Sequence, residues 1–258
     1  MSHSISYRRL LTRMGYYNYQ KGLIIHHVNQ EGGWEKHLER CRGLIIRALD
    51  LYKPEKVTVL GSGWLLDLPL AELIERTGKV CLIDIIHPPD VASQVTQYKN
   101  VELIEQDITG GLIEEVWQQT RQNSFFRKLS GLKNICVGEY NPGDDPGMVI
   151  SLNILTQLES LPIDLLKKRS KIAEEELDNL KSTIQKKHID FLRKHLSVLI
   201  TDYAEVITSK SGSTKTLNTL LTDLPPGRFS EEWTWNFDQT GADLYNSRSQ
   251  FMIKGLII

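Results

Sequence analysis

The sequence predicts an α/β fold: a mostly parallel seven-stranded sheet with helices on both faces and an antiparallel C-terminal hairpin. Three observations carry this. Short apolar runs rich in β-branched residues alternate with helix-like segments from Lys56 onward. The first run, "KVTVLG", leads into Gly61-Ser62-Gly63, a tight strand-to-helix turn of the kind found in doubly wound, Rossmann-like sheets. The last two runs flank a turn region rich in Gly, Asp and Asn, as the arms of a hairpin do.

Taken in order, "ISYRRLLTRMGYYN" reads as a short helix. "GWEKHLERCRGLIIRALDLYKP" carries Leu38, Cys41, Leu44, Ile45, Ala48 and Leu49 on one helical face and stops at Pro54. The strands follow. "KVTVLG" is the first and "KVCLIDI" the second; between them lies a helix capped by Asp67, opened by Pro69 and ended by Gly78. "VELIEQD" is the third strand, with a helix in "GGLIEEVWQQTRQ" after it. "GMVISLNIL" is the fourth, apolar enough to be buried on both faces. One long amphipathic helix spans 164–196. "SVLITDYAEV", "EEWTWNF" and "SQFMIKGLII" complete the sheet. Residues 127–147 read as an irregular surface insertion. The chain thus divides into an N-terminal helical extension, 1–55, and a sheet domain, 56–258.

At 258 residues the chain is long enough to bury a full core. Its net charge of −1 gives no compositional push toward nucleic acid or membrane. Cys41, Cys81 and Cys136 are too far apart to form a zinc framework. They suit a reducing compartment, and with no signal-like or membrane-length apolar run the expectation is a cytoplasmic protein.

Ligands of such sheets bind at the carboxyl ends of the strands. Gly61 and Gly63 stand there on the first strand. Asp84, beside Ile85, follows Gly61 by twenty-three positions, and Asp107, beside Ile108, follows Asp84 by the same interval. A carboxylate at the second strand's end suits a ribose diol, and one at the third suits an adenine amine. A dinucleotide site would want a third glycine, but Gly61-Ser62-Gly63 runs on into Trp64-Leu65-Leu66. The bulk there and the two acids favour an adenosine without phosphates. For each residue a plainer role stands beside this one: a bare turn at the glycines, a cap or turn residue before His87-Pro88-Pro89 at Asp84, an Asx turn at Asp107, a helix cap at Asn153.

These segments, "VTVLGSG", "LIDI", "EQDITG" and "VISLNILTQL", resemble the class I S-adenosylmethionine-dependent methyltransferases, over roughly 56–258. The resemblance implies a seven-stranded sheet with an antiparallel final pair and S-adenosyl-L-methionine as cofactor. It implies cofactor contacts at Gly61, Ser62, Gly63, Asp84, Ile85, Asp107, Ile108 and Asn153, with Asn153 to Leu155 beside the reactive methyl. Two positions depart from the family: Val59 replaces its acidic residue and Leu65 its third glycine. They keep a non-catalytic interaction protein open as an alternative, with an NAD-dependent oxidoreductase as another.

The expected acceptor is a small molecule. Asn153-Ile154-Leu155 lacks the Pro-Pro-aromatic sequence of enzymes that methylate base amines, and no basic stripe favours nucleic acid, although RNA stays open. No catalytic residue and no metal site is assigned. Asp202 and Tyr203 are expected at the fifth strand's end, His26 and His27 in a loop, either simply solvated or part of a lid, and Trp233 and Trp235 as strand residues without chemistry. Leu165, Ile172, Leu177, Leu180 and Ile184 stripe the long helix. They offer a surface for a second copy, or else pack on the chain's own core.

Overall fold

Alternation along the strands divides the hydrophobic residues between two faces, and the helices cover both. The computed structural model describes residues 3–122, 132, 135–241 and 247–258. Three helices come first: α1 (Ile5–Met14), α2 (Tyr16–Asn29) and α3 (Glu35–Tyr52). Then follow β1 (Lys56–Leu60), α4 (Leu70–Arg76), β2 (Lys79–Asp84), α5 (Pro89–Val95), β3 (Val101–Glu105), α6 (Leu112–Gln122) and β4 (Met148–Leu152). The chain continues through α7 (Ser160–Arg169), α8 (Glu174–Leu192), β5 (Ser197–Thr208), β6 (Thr214–Asn218), β7 (Phe229–Asp238) and β8 (Arg248–Ile257).

The strand order is β3-β2-β1-β4-β5-β8-β7. β1 to β5 run parallel, and β8 lies antiparallel between β5 and β7. This seven-strand path with its closing antiparallel pair is the sheet that the resemblance implies. An eighth strand, β6, pairs antiparallel with the far half of β5. Every residue of β6 is exposed, so no burial pattern announces it in the sequence.

Val57 and Val59 point into one core with Leu44, Ile45 and Ala48 of α3, Leu73 of α4 and Val91 of α5. The position where the family carries an acid is therefore a core contact. Leu60, Ile83 and Val149 point the other way, onto Leu112 of α6 and Leu177, Ile184 and Leu192 of α8. All six apolar residues predicted for the face of α3 are buried. That helix shares a core with the sheet.

Several expectations are corrected. The long helix breaks at residues 170–173 into α7 and α8. Leu177, Leu180 and Ile184 are buried in the chain's own core, which consumes the stripe offered to a second copy. "YYNYQKGLIIHHVN" is the helix α2, started afresh after Gly15 ends α1 at φ +96°, so His26 and His27 are helical. His26 is buried against Phe237, its Nε2 2.8 Å from the Phe237 carbonyl. β5 runs six residues past Asp202, which sits at a bulge in mid-strand and accepts from Thr156 Oγ1 at 2.5 Å. In the predicted insertion, residues 132 and 135–147 form no helix or strand; 127–131 and 133–134 lie outside the described residues. No helix among the described residues is long and apolar enough to cross a membrane.

Candidate active site

β1 lies at the centre of the parallel strands, between β2 and β4. The loop that leaves it, residues 61–69, therefore has the tip of β2 on one flank and the tip of β4 on the other. Gly61 turns at φ +81°; a Cβ there would stand 2.8 Å from Ile154 Cβ and 2.9 Å from the Leu152 carbonyl oxygen. Only glycine lets the loop pass this close to β4. Gly63 is also left-handed, at φ +46°, but a Cβ there would meet nothing within 4 Å. Leu65 holds φ +61°. The backbone thus keeps a glycine-like conformation at the family's third-glycine position, at a cost of about 1–2 kcal/mol. Burial of the leucine side chain offsets it.

A cleft of about 980 Å³, counted to its solvent-open mouth, follows this loop. Gly61, Ser62, Gly63, Asp84, Ile85 and Asn153 line it. Asp84 is buried. Its Oδ2 accepts from Gly63 N–H at 2.8 Å, and its Oδ1 from Ile85 N–H at 2.7 Å and Gln20 Nε2 at 3.4 Å. Burial pushes its carboxyl up, against the pull of these donors. Asp107 and Ile108 are not among the lining residues. Asp107 Oδ1 accepts from Thr109 N–H at 2.8 Å and Thr109 Oγ1 at 2.6 Å, the turn geometry of its plainer role. Its Oδ2 accepts from Tyr7 Oη at 3.4 Å, so α1 covers it. It still belongs to the same sheet end: β2 and β3 pair Asp84 with Glu105, and Gln106 N–H donates to the Asp84 carbonyl at 2.9 Å.

The N-terminal helices roof the cleft. His3 Nε2 lies 2.8 Å from the Ile85 carbonyl, Trp64 Nε1 donates to the Gln20 carbonyl at 2.9 Å, and Tyr19 Oη donates to Gln157 at 2.9 Å. Tyr16, Tyr19, Gln20 and Leu23 of α2 all face the cleft.

On the β4 flank stands a cluster that sequence reasoning passes over. Asn153, at φ +49°, caps no helix; its Nδ2 donates to Asp67 Oδ2 at 2.8 Å and lies 3.1 Å from His37 Nε2. Asp67 likewise caps nothing, because α4 begins later, behind Pro69. Burial pushes the Asp67 carboxyl up to about 6. Trp233 Nε1 donates to His37 Nδ1 at 3.0 Å, and the His37 ring stacks on Trp235 at 4.0 Å between centroids. Both tryptophans thus hold the His37 ring in place from β7. The available signal was His37 itself, a polar residue one turn ahead of Cys41 on the buried face of α3.

His37, Cys41 and Asp67 place three potential metal-ligand atoms within 4.8 Å of one another. The hydrogen-bond pattern favours a proton network over an ion. Indole N–H can only donate, so the His37 ring keeps its proton on Nε2; that N–H faces the Cys41 sulfur at 3.5 Å, and Asn153 Nδ2, itself a donor, is a neighbour and not its partner. Burial pushes His37 down to about 3, so the ring stays neutral.

Among the described residues, Ser62 Oγ, Gln20 Oε1, Asn153 Oδ1 and Trp235 Nε1 are buried without a hydrogen-bond partner, and all four residues line the cleft. Unpaired polar atoms gathered in one cleft mark it as a place where a polar ligand would find partners. Among the described residues no Lys or Arg lines it. Asp202 and Tyr203 do not line it either.

No family model matches the chain, and no curated protein matches it. Solved structures do. The N-methyltransferase NodS from Bradyrhizobium japonicum WM9, in complex with S-adenosyl-L-homocysteine, is 10% identical, with 84% of this chain and 86% of that chain covered at a TM-score of 0.35. The 1,6-didemethyltoxoflavin-N1-methyltransferase of Burkholderia thailandensis is 8% identical, with 100% and 92% covered at 0.40. A DhpI complex with S-adenosylhomocysteine is 8% identical, with 96% and 97% covered at 0.34. With identities this low and scores below 0.5, what this chain does must be read from its own residues.

Proposed function

We propose that this chain is an S-adenosyl-L-methionine-dependent methyltransferase acting on a small-molecule acceptor. The observation that carries the reading is the charge of the cleft: two carboxylates, Asp67 and Asp84, with aromatic walls and, among the described residues, no lining Lys or Arg. Carboxylates and aromatic faces attract a cation and repel a pyrophosphate. A sulfonium fits; a dinucleotide does not. The residues 61–69 also separate the glycine turn from α4, so no helix N-terminus is aimed at a phosphate there. The orphaned Ser62 Oγ and Gln20 Oε1 are consistent with a polar ligand.

Bound there, the cofactor would supply an electrophilic methyl group on a positively charged sulfur. The chain's own residues bind and orient. Gly61 and Gly63 keep the loop's backbone open to the ligand, and Ser62 adds a hydroxyl. The remaining lone pairs of Asp84 accept ribose hydroxyls, with Ile85 beside them. Asp107 and Ile108 mark the adenine end, reached when Tyr7 moves aside. Asn153 stands at the methyl end. The roof of α1 and α2 excludes water, and holding two reactants in contact is the main catalytic task. In this reading residues 1–55 form a helical extension and 56–258 the methyltransferase domain. The free thiols Cys41, Cys81 and Cys136 suit a reducing, cytoplasmic setting.

A non-catalytic role is the second reading, motivated by Gln20 and Tyr7 already bonded to Asp84 and Asp107. Calorimetry with S-adenosylmethionine, S-adenosylhomocysteine and NAD separates the possibilities. Binding of the first two alone supports the proposal. Binding of NAD alone replaces it with an oxidoreductase, and binding of none favours the non-catalytic role.

A further inference from the structure

We propose that Asp67 is the general base of this site and that the methyl acceptor is a flat aromatic molecule presenting an N–H or O–H group to it. The inference deepens the methyltransferase reading and rests on it for the direction of the chemistry.

Asp84 and Asp67 stand on opposite flanks of β1, the first at the tip of β2, the second bonded to Asn153 beyond β4. If Asp84 holds the cofactor, the β4 flank is left for the acceptor. On that flank Asp67 is the proton acceptor that remains. His37 is spent on its framework, with Nδ1 taken by Trp233 and Nε2 facing Asn153 and the Cys41 sulfur, 3.5 Å away. Tyr16 and Tyr19 are held protonated by burial, Tyr19 up to about 12. Asp67 is half-buried and lines the cleft, with Arg42, Cys41 and His37 of α3 around it. A carboxyl raised to about 6 is ionised at neutral pH yet a stronger base than a free aspartate.

The walls define the acceptor's body. Tyr16, Tyr19, Trp34, Trp64 and Trp235 line the cleft together with Leu23 and Leu38. A lining this rich in rings suits a flat aromatic body. Trp235 Nε1, in a residue only 7% exposed, is an unpartnered donor that an acceptor's ring nitrogen or carbonyl can satisfy. Among the described residues no Lys or Arg lines the cleft, and Arg42, the cation next to Asp67, is bonded to the Leu66 carbonyl, so a neutral acceptor suits it better than a carboxylate or phosphate. In the step itself, the acceptor's nitrogen or oxygen forms the bond to the methyl carbon. The methyl–sulfur bond of the sulfonium donor breaks with its electron pair left on sulfur. The acceptor's proton passes to an Asp67 oxygen and then to water.

The test is binding, read by saturation-transfer NMR on the free and the S-adenosylhomocysteine-loaded full chain. The probes are 2-naphthol, indole and benzimidazole, their O- or N-methylated counterparts, and cyclohexylamine. At least one unmethylated aromatic probe should bind, at least tenfold more tightly than its methylated counterpart and than cyclohexylamine. Asp67→Asn should erase that discrimination while S-adenosylhomocysteine affinity, the control for folding, stays within threefold. Equal binding of methylated and unmethylated probes, preference for cyclohexylamine, or no aromatic binding overturns the proposal; the wild-type comparison decides even if the variant misfolds. Failure of S-adenosylhomocysteine to bind the wild type rejects the methyltransferase reading instead, and the free-chain arm still judges the aromatic slot.

Discussion

The backbone N–H of Gly63 donates to the Asp84 carboxylate at 2.8 Å, tying the loop after β1 to the tip of β2. One bond thus links two of the residues expected to meet the cofactor. Asp84→Ala should weaken S-adenosylhomocysteine binding by about 1–3 kcal/mol, the cost of leaving ribose hydroxyls without their acceptor. Calorimetry reads it directly, and unchanged affinity removes Asp84 from the site.

The two glycines of the loop serve different ends, and alanine separates them. At Gly63 the added methyl meets open space, so Gly63→Ala should cost about 1–2 kcal/mol of stability through its left-handed backbone alone. At Gly61 the same strain is joined by the clash with Ile154 and the Leu152 carbonyl, adding about 1–3 kcal/mol. Urea denaturation of both variants should therefore rank Gly61→Ala as the less stable protein. The reverse order would contradict the packing described for β4.

Glu159 is buried, with Oε1 accepting from Gln185 Nε2 at 3.0 Å and Oε2 without a partner among the described residues. Burial raises its carboxyl to about 8, against about 4.5 in an unfolded chain. The folded state therefore holds its proton more tightly, and this residue's contribution to stability falls as pH rises from about 4.5 through 8. Glu159→Gln mimics the protonated acid. It should match wild type in thermal unfolding near pH 5 and exceed it at pH 8.5, with the gap widening between. A constant gap across that range would mean that Glu159 does not titrate late.

The roof over the cleft must open for a ligand to enter. His3, Tyr7 and Gln20 hydrogen-bond to the strand tips, the Gln20 carbonyl accepts from Trp64, and α1 packs Leu10, Leu11 and Met14 onto Ile86 and Ile113. Hydrogen exchange should show backbone amides of 5–29 gaining about tenfold protection or more when S-adenosylhomocysteine binds, as a locally opening element does once a ligand closes it. Unaltered exchange there, with binding proven, would assign entry to another route.

Much of the fold is legible from periodicity. The apolar face of α3 can be read because Leu38, Cys41, Leu44 and their successors recur at helical spacing, and a helix converts spacing into a face by its own geometry. β1, β2 and β4 can be read because their runs are apolar and β-branched. β6 cannot, because all its residues are exposed and its pairing with β5 is non-local. The break between α7 and α8 is missed because the stripe of leucines and isoleucines continues across it and no proline marks it. The candidate site divides the same way. Gly61, Gly63 and Asp84 stand at strand ends and announce themselves by spacing, whereas Asp67, His37 and Trp235 lie in a loop, a helix and a strand with no shared pattern.

The order of strands and helices, and which strand ends carry glycine and aspartate, are determined by the sequence alone, since each depends on residues only a few positions apart. That Asp67, His37 and Asn153 converge on one cleft, with Trp233 bonded to His37 behind it, was decided by the tertiary structure. They come from four separate segments, and only the strand order, with β4 beside β1 and the β7–β8 hairpin beyond β5, brings those segments within hydrogen-bonding reach.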